Sequence, residues 1–156
     1  MSPDDQVCSL YLAKKLEDLG INKETLFYYL NIDGEGKYYV YFNEHMPEEC
    51  EYEGDPISAF TSSELGNLLP NCIIKPDQTP FDHYRLVIRK FISVNEDMTP
   101  TNNFIVNYEC DSTEVEGVNA WLTRKLNTNI YDKNLSNAMA KMLIYLLENG
   151  FLEEQK

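Results

Sequence analysis

His45 and Cys50 stand among Glu48, Glu49 and Glu51 in the stretch E-H-M-P-E-E-C-E-Y-E-G-D (44–55), the nearest this chain comes to a metal-binding constellation. Imidazole, thiolate and carboxylate all bind zinc, but a closed structural site takes four ligands, mostly Cys or His at short fixed spacings, and this stretch offers one of each. Its carboxylates also lack the D-x-[DN]-x-[DN]-G order that arranges oxygens around calcium. The stretch reads as a solvated acidic loop, with no metal and no cofactor expected. Its carboxylates Glu44, Glu48, Glu49, Glu51, Glu53 and Asp55 are the candidate binding surface.

His83, next to Asp82, is the second histidine. Such a pair can activate a serine or cysteine nucleophile, yet no nucleophile elbow accompanies it, so it reads as a strand-edge histidine and no catalytic residue is assigned. Cys8, Cys50, Cys72 and Cys110 are scattered without a C-x-x-C pair. That pattern, behind an acidic M-S-P-D-D-Q start with no basic leader, reads as reduced thiols in a cytoplasmic protein. Arg85, Arg89 and Lys90 form one small basic cluster and Arg124 with Lys125 another; in so acidic a chain the expectation is pairing with nearby carboxylates. Tyr28, Tyr29, Tyr38, Tyr39 and Tyr41 suit either a binding surface or sheet packing, and packing is the simpler expectation.

The chain has 156 residues, with 13 Lys and Arg against 26 Asp and Glu, a formal charge of −13. That length suits one domain, 1–156, able to bury a core without disulfides or metal. The charge argues against a nucleic-acid backbone or an anionic membrane as partner and towards a basic surface, or simply towards solubility. No apolar run is long enough to cross a bilayer.

The elements that must position these residues begin with a helix, S-L-Y-L-A-K-K-L-E-D-L, N-capped at Ser9 and closed at Gly20, where Ile21 falls in place to touch Leu16. T-L-F-Y-Y-L-N-I and K-Y-Y-V-Y-F-N flank D-G-E-G and predict an antiparallel hairpin. A short helix follows at T-S-S-E-L-G-N-L-L-P, where Thr61 and Glu64 have capping-box spacing and Pro70 stops the run. Cys72 to Ile74 reads as a brief strand and P-D-Q-T-P as a turn. Residues 84–94 and 103–109 predict a second hairpin, with Lys90 interrupting an otherwise apolar face, so that end is expected at a sheet edge or exposed. Residues 112–125 read as a short helix or insertion, with Thr113 and Glu116 at capping-box spacing. The closing helix, 134–149, places Leu135, Ala138, Met139, Met142, Leu143 and Leu146 on one face, widened by Ile144, Tyr145 and Leu147. The expected class is α+β: an antiparallel sheet built from hairpins, helices packed on one side, and a long apolar C-terminal helix.

Three stretches, S-L-Y-L-A-K-K-L-E-D-L-G-I-N-K-E-T-L-F-Y-Y (9–29), S-S-E-L-G-N-L-L-P (62–70) and A-M-A-K-M-L-I-Y-L-L-E-N-G (138–150), together resemble a group of small uncharacterised proteins encoded by bacteriophages and prophages. The resemblance implies a phage or prophage origin and a bacterial cytoplasm, and it brings no catalytic residue. It departs in the middle of the chain and at 114–133. The reading that follows is a non-enzymatic accessory protein that binds a host or phage protein. A sharper form has the acidic surface mimicking nucleic acid against a host nucleic-acid-binding protein. The alternatives are a small enzyme or ligand-binding domain, whose mark would be a deep pocket gathering His45 or His83 with carboxylates or a thiol, and a homo-oligomer joined through tyrosines or the last helix.

Overall fold

The computed structural model describes residues 2–74, 83–94, 97–112, 122–125 and 129–152. Its elements run α1 (Leu10–Asp18), β1 (Phe27–Asn31), β2 (Tyr38–Phe42), β3 (Glu53–Ala59), α2 (Ser62–Leu68), β4 (Cys72–Ile74), β5 (His83–Val94), β6 (Pro100–Ser112), β7 (Leu122–Lys125), β8 (Ile130–Asp132) and α3 (Leu135–Glu148). This is an α+β fold. The strands divide between two antiparallel sheets, a smaller one in the order β2-β1-β3 and a larger one in the order β4-β5-β6-β7, with β8 also pairing with β6.

Helices α1 and α3 link the sheets. Helix α1 packs on β3 and on α3, while α3 packs on β6, β8 and α2. The wide apolar face of α3 explains this position: Ala138, Met139, Ala140, Met142, Leu143, Ile144 and Leu146 are all buried, so the helix has neighbours around most of its circumference. From the larger sheet Tyr84, Val106 and Tyr108 enter the same core, and from α1 Leu12, Ala13 and Leu16. Tyr108 keeps its hydroxyl satisfied by donating to the Pro70 carbonyl at 2.7 Å.

Both helix stops follow one design. Gly20 (φ 82°) lets the Ile21 N–H reach the Leu16 carbonyl at 2.9 Å, and Gly150 (φ 68°) does the same for Phe151 and Leu146, also at 2.9 Å. These are Schellman closures, which need a left-handed residue after the cap. At the other end of α1 the sequence expectation holds in position only. Ser9 occupies the N-cap, but its side chain makes no capping bond; its N–H donates instead to Asn137 Oδ1 at 2.7 Å, tying α1 to the start of α3. Helix α2 carries the full capping box. Glu64 N–H donates to Thr61 Oγ1 at 3.3 Å, and Glu64 Oε2 accepts from the Thr61 N–H at 2.7 Å.

Three strands depart from the sequence reading. Residues 53–59 belong to β3, which pairs with β1 through Phe27↔Ala59 and Tyr29↔Ile57, so Glu53 and Asp55 lie on a strand and not in a loop. The E-Y-E-G-D run shows no apolar alternation because that half of the strand is exposed; only Ile57–Ala59 is buried. Residues 122–125 form β7 against β6 and not the end of a helix. Strand β8 is three residues long and carries too little pattern to announce itself. The Thr113–Glu116 spacing and the turn at 75–80 lie outside the described residues.

Candidate functional site

The acidic residues of this stretch lie at the surface, with Met46, Pro47 and Tyr52 between them partly buried. Glu44 sits in a 3₁₀ turn, Asn43–His45, Glu49 and Glu51 in a second, Glu49–Glu51, with Glu48 as its N-cap, and Glu53 and Asp55 on β3. All six carboxylates belong to exposed residues. The Glu53 carboxylate lies over Gly34, which turns the β1–β2 connection at φ 65°, a left-handed conformation that favours glycine. His45 lies beside the Phe42 ring, centroids 5.8 Å apart, and joins no cluster of metal-binding groups among the described residues. The side chains of Cys50 and His83 lie outside the described residues.

The tyrosines divide between packing and exposure. Tyr29 is buried, with its hydroxyl donating to the Cys8 carbonyl at 2.7 Å, and burial pushes its phenol pKa up. Tyr38 lies under the Lys14 ammonium, 4.3 Å from the ring centroid. Tyr39 is about half exposed. Cys8 is fully buried, and that burial raises its thiol pKa to about 11, the profile of an inert structural cysteine.

A cleft of about 720 Å³ opens where the first turns of α2 and α3 meet the larger sheet. Thr61, Ser63, Lys90, Asp132, Lys133 and Asn137 are on its walls, and no histidine or cysteine is among its described lining. Asp132 is its structural anchor. Burial pushes the Asp132 carboxyl up, but the Lys141 ammonium at 2.6 Å, the Asn134 N–H at 2.9 Å and the Asn137 amide outweigh it and hold it below the usual carboxylate range. The cleft can take a polar guest; it does not assemble the nucleophile-and-base pair that a His-dependent enzyme needs.

The surface that the sequence marked only through Lys90, as an end at an edge or exposed, is the distal half of the β5–β6 hairpin. Val94↔Pro100 is the last rung of its ladder, and β8 reaches only as far as Phe104, so the rungs beyond are two-stranded among the described residues. Side chains alternate across it. Ile88, Lys90, Ile92 and Val94 are on one face, and Val87, Arg89, Phe91 and Ser93 on the other. Ile92, Val94 and Met98 are 67%, 61% and 80% exposed, and Ile88 and Tyr131 about half. Phe91 meets the Tyr131 ring edge-on at 6.3 Å. The basic cluster divides: Arg89 forms a bidentate pair with Glu109, both bonds 2.6 Å, whereas Lys90 extends over the Phe104 ring at 6.0 Å. The available signal was the β-branched run V-I-R-K-F-I-S-V itself, which is apolar at positions on both faces and therefore too apolar for a strand with solvent on either side. Comparison of the chain with known protein families, with curated proteins and with solved structures gives no match.

Proposed function

We propose that this protein is a non-enzymatic protein-binding module, an accessory protein of phage or prophage origin acting in the bacterial cytoplasm, and that it engages its partner through the β5–β6 hairpin. The observation that carries the reading is the exposure of Ile88, Ile92 and Val94 along one face of that hairpin and of Met98 between its strands, with Phe91 exposed on the other face against Tyr131 of β8. Isolated exposed apolar residues are ordinary, but a contiguous group on a projecting element marks a contact surface. No helix among the described residues is long and apolar enough to cross a membrane.

A second reading places the contact on the acidic stretch, as a mimic of nucleic acid. It is favoured by the exposure of Glu44, Glu48, Glu49, Glu51, Glu53 and Asp55. One experiment separates the two: capture from bacterial lysate, with and without nuclease, using the wild type, a hairpin variant (I92S, V94S and M98S) and an acidic variant (E48Q, E49Q, E51Q and E53Q). Loss of a stoichiometric partner in the hairpin variant alone supports the first reading. Loss in the acidic variant alone, with a nucleic-acid-binding protein as partner, supports the second.

A further inference from the structure

Among the described residues, the outer edge of β5 beyond Leu86 carries no paired strand. Strand β4 covers only His83–Arg85, and the last bond on that side is Leu86 N–H to the Asn71 carbonyl at 3.1 Å. Because lateral direction alternates along a strand and the β5–β6 register runs without a bulge from Arg85 to Val94, the N–H and C=O groups of Ile88, Lys90, Ile92 and Val94 point the same way as those of Leu86. They point away from β6, where no strand lies among the described residues. A row of unpaired backbone donors and acceptors flanked by exposed Ile88, Ile92 and Val94 is a template for another strand.

From this geometry we infer that β5 from Ile88 to Val94 takes up an extended segment of the partner protein as an added antiparallel or parallel strand, and that the face of this segment beside Ile88, Lys90 and Ile92 carries a carboxylate between two apolar residues. The inference rests on the reading of the hairpin as the binding surface and specifies how it binds. Charge selects the occupant. Residues 83–94 hold Arg85, Arg89 and Lys90 and no carboxylate, in a chain whose net charge is −13. Two copies pairing through this edge about a twofold axis would bring the same cations together, and like charges on facing strands oppose pairing. A carboxylate beside Lys90 gains a partner, since the Arg89 guanidinium is already engaged by Glu109. Apolar residues on the same face then cover Ile88 and Ile92, the side-chain complement of strand addition, while the backbone bonds supply sequence-independent affinity.

The test uses fluorescein-labelled ten-residue peptides, one built on Val-Thr-Glu-Thr-Val, which puts a glutamate between two valines on one face, and one built on Val-Thr-Lys-Thr-Val, each titrated by anisotropy against the full chain. The acidic peptide should saturate and the basic one should not. Lys90→Glu, which leaves the backbone intact, should weaken the acidic peptide roughly tenfold. Ile92→Pro removes an outward N–H that β6 does not use and should abolish binding; circular dichroism establishes that each variant is folded, and K90E carries the test if I92P is not. Equal binding of both peptides, no binding of either, or an affinity unmoved by folded K90E overturns the inference, as does concentration-dependent dimerisation of the free protein that I92P abolishes. If the peptides fail while the I92S, V94S and M98S variant still loses its captured partner, strand addition falls and the hairpin surface stands.

Discussion

Arg89 and Glu109 meet in a two-pronged pair across β5 and β6, Nη1 to Oε1 and Nη2 to Oε2 each at 2.6 Å, with the carboxylate residue only 9% exposed. The pair sits on the face opposite the α3 core, where Glu109 also accepts from the Asn107 amide at 3.1 Å, which in turn donates to Asn129 at 3.0 Å. It joins the two long strands below the point where the hairpin continues without a third strand. The guanidinium, raised in pKa by its hydrogen bonds to this carboxylate, keeps its charge at any working pH.

Replacing Arg89 with alanine therefore leaves a largely buried carboxylate with one partner fewer. R89A should lower the thermal midpoint by a few degrees, and more than R85A on the same strand. The double variant R89A with E109Q should recover part of the loss, because the stranded charge is gone. Thermal melts of the three variants at neutral pH check this.

Asp132 predicts a pH dependence. Its carboxyl is held below the ordinary value of about 3.9. The sign follows: its contribution is complete above that ordinary value and is lost as pH falls through the lowered one. D132N should cost about 1–2 kcal/mol near neutrality, through the lost bonds to Lys141 and the Asn134 N–H, and should flatten the acid limb of the stability curve. Urea midpoints measured from pH 3 to pH 7 for wild type and D132N give both quantities.

Glu64 joins α2 to the smaller sheet as well as capping its own helix, since its second oxygen accepts the Leu26 N–H at 2.8 Å. T61A removes the cap alone and should cost about 1 kcal/mol. E64A removes the cap's reciprocal bond and the acceptor for the entry to β1, so it should cost more than T61A. Chemical denaturation of the two variants orders them.

Cys8 and Cys72 should differ in reactivity. Cys8 is fully buried with a thiol pKa near 11, whereas Cys72 is exposed. At pH 7.5 a maleimide should label Cys72 in the native protein and reach Cys8 only on unfolding. Peptide mapping of labelled protein, native and in denaturant, reads this directly.

Much of this architecture is legible in the sequence where local chemistry dictates local structure. The glycine stops at Gly20 and Gly150, the Thr61–Glu64 box and the dense apolar face of α3 are short-range instructions, and each is found in place. What stayed hidden depends on distant pairing. Strand β3 exists because β1 offers it an edge, and β8 because β6 does; neither Glu53–Ala59 nor Ile130–Asp132 has a period of its own. The division into two sheets is hidden for the same reason, since hairpins alone do not say which hairpin lies beside which. The acidic residues were visible as charge, and all six are exposed. The open edge of β5 was legible only in part: Lys90 within an apolar face marked that end as edge or exposed, but the alternation that marks a strand is silent about which of its lateral sides is paired.

The most direct measurement is residue-resolved amide hydrogen exchange along β5, in the free protein and in the protein saturated with the acidic strand peptide. In the free protein the Ile88, Lys90 and Ile92 amides should exchange fast while Val87, Arg89 and Phe91, turned towards β6, exchange slowly; with the peptide bound, the fast set should become slow. Slow exchange of Ile88, Lys90 and Ile92 in the dilute free protein, or no gain in their protection at saturation, contradicts an open edge that binds by adding a strand.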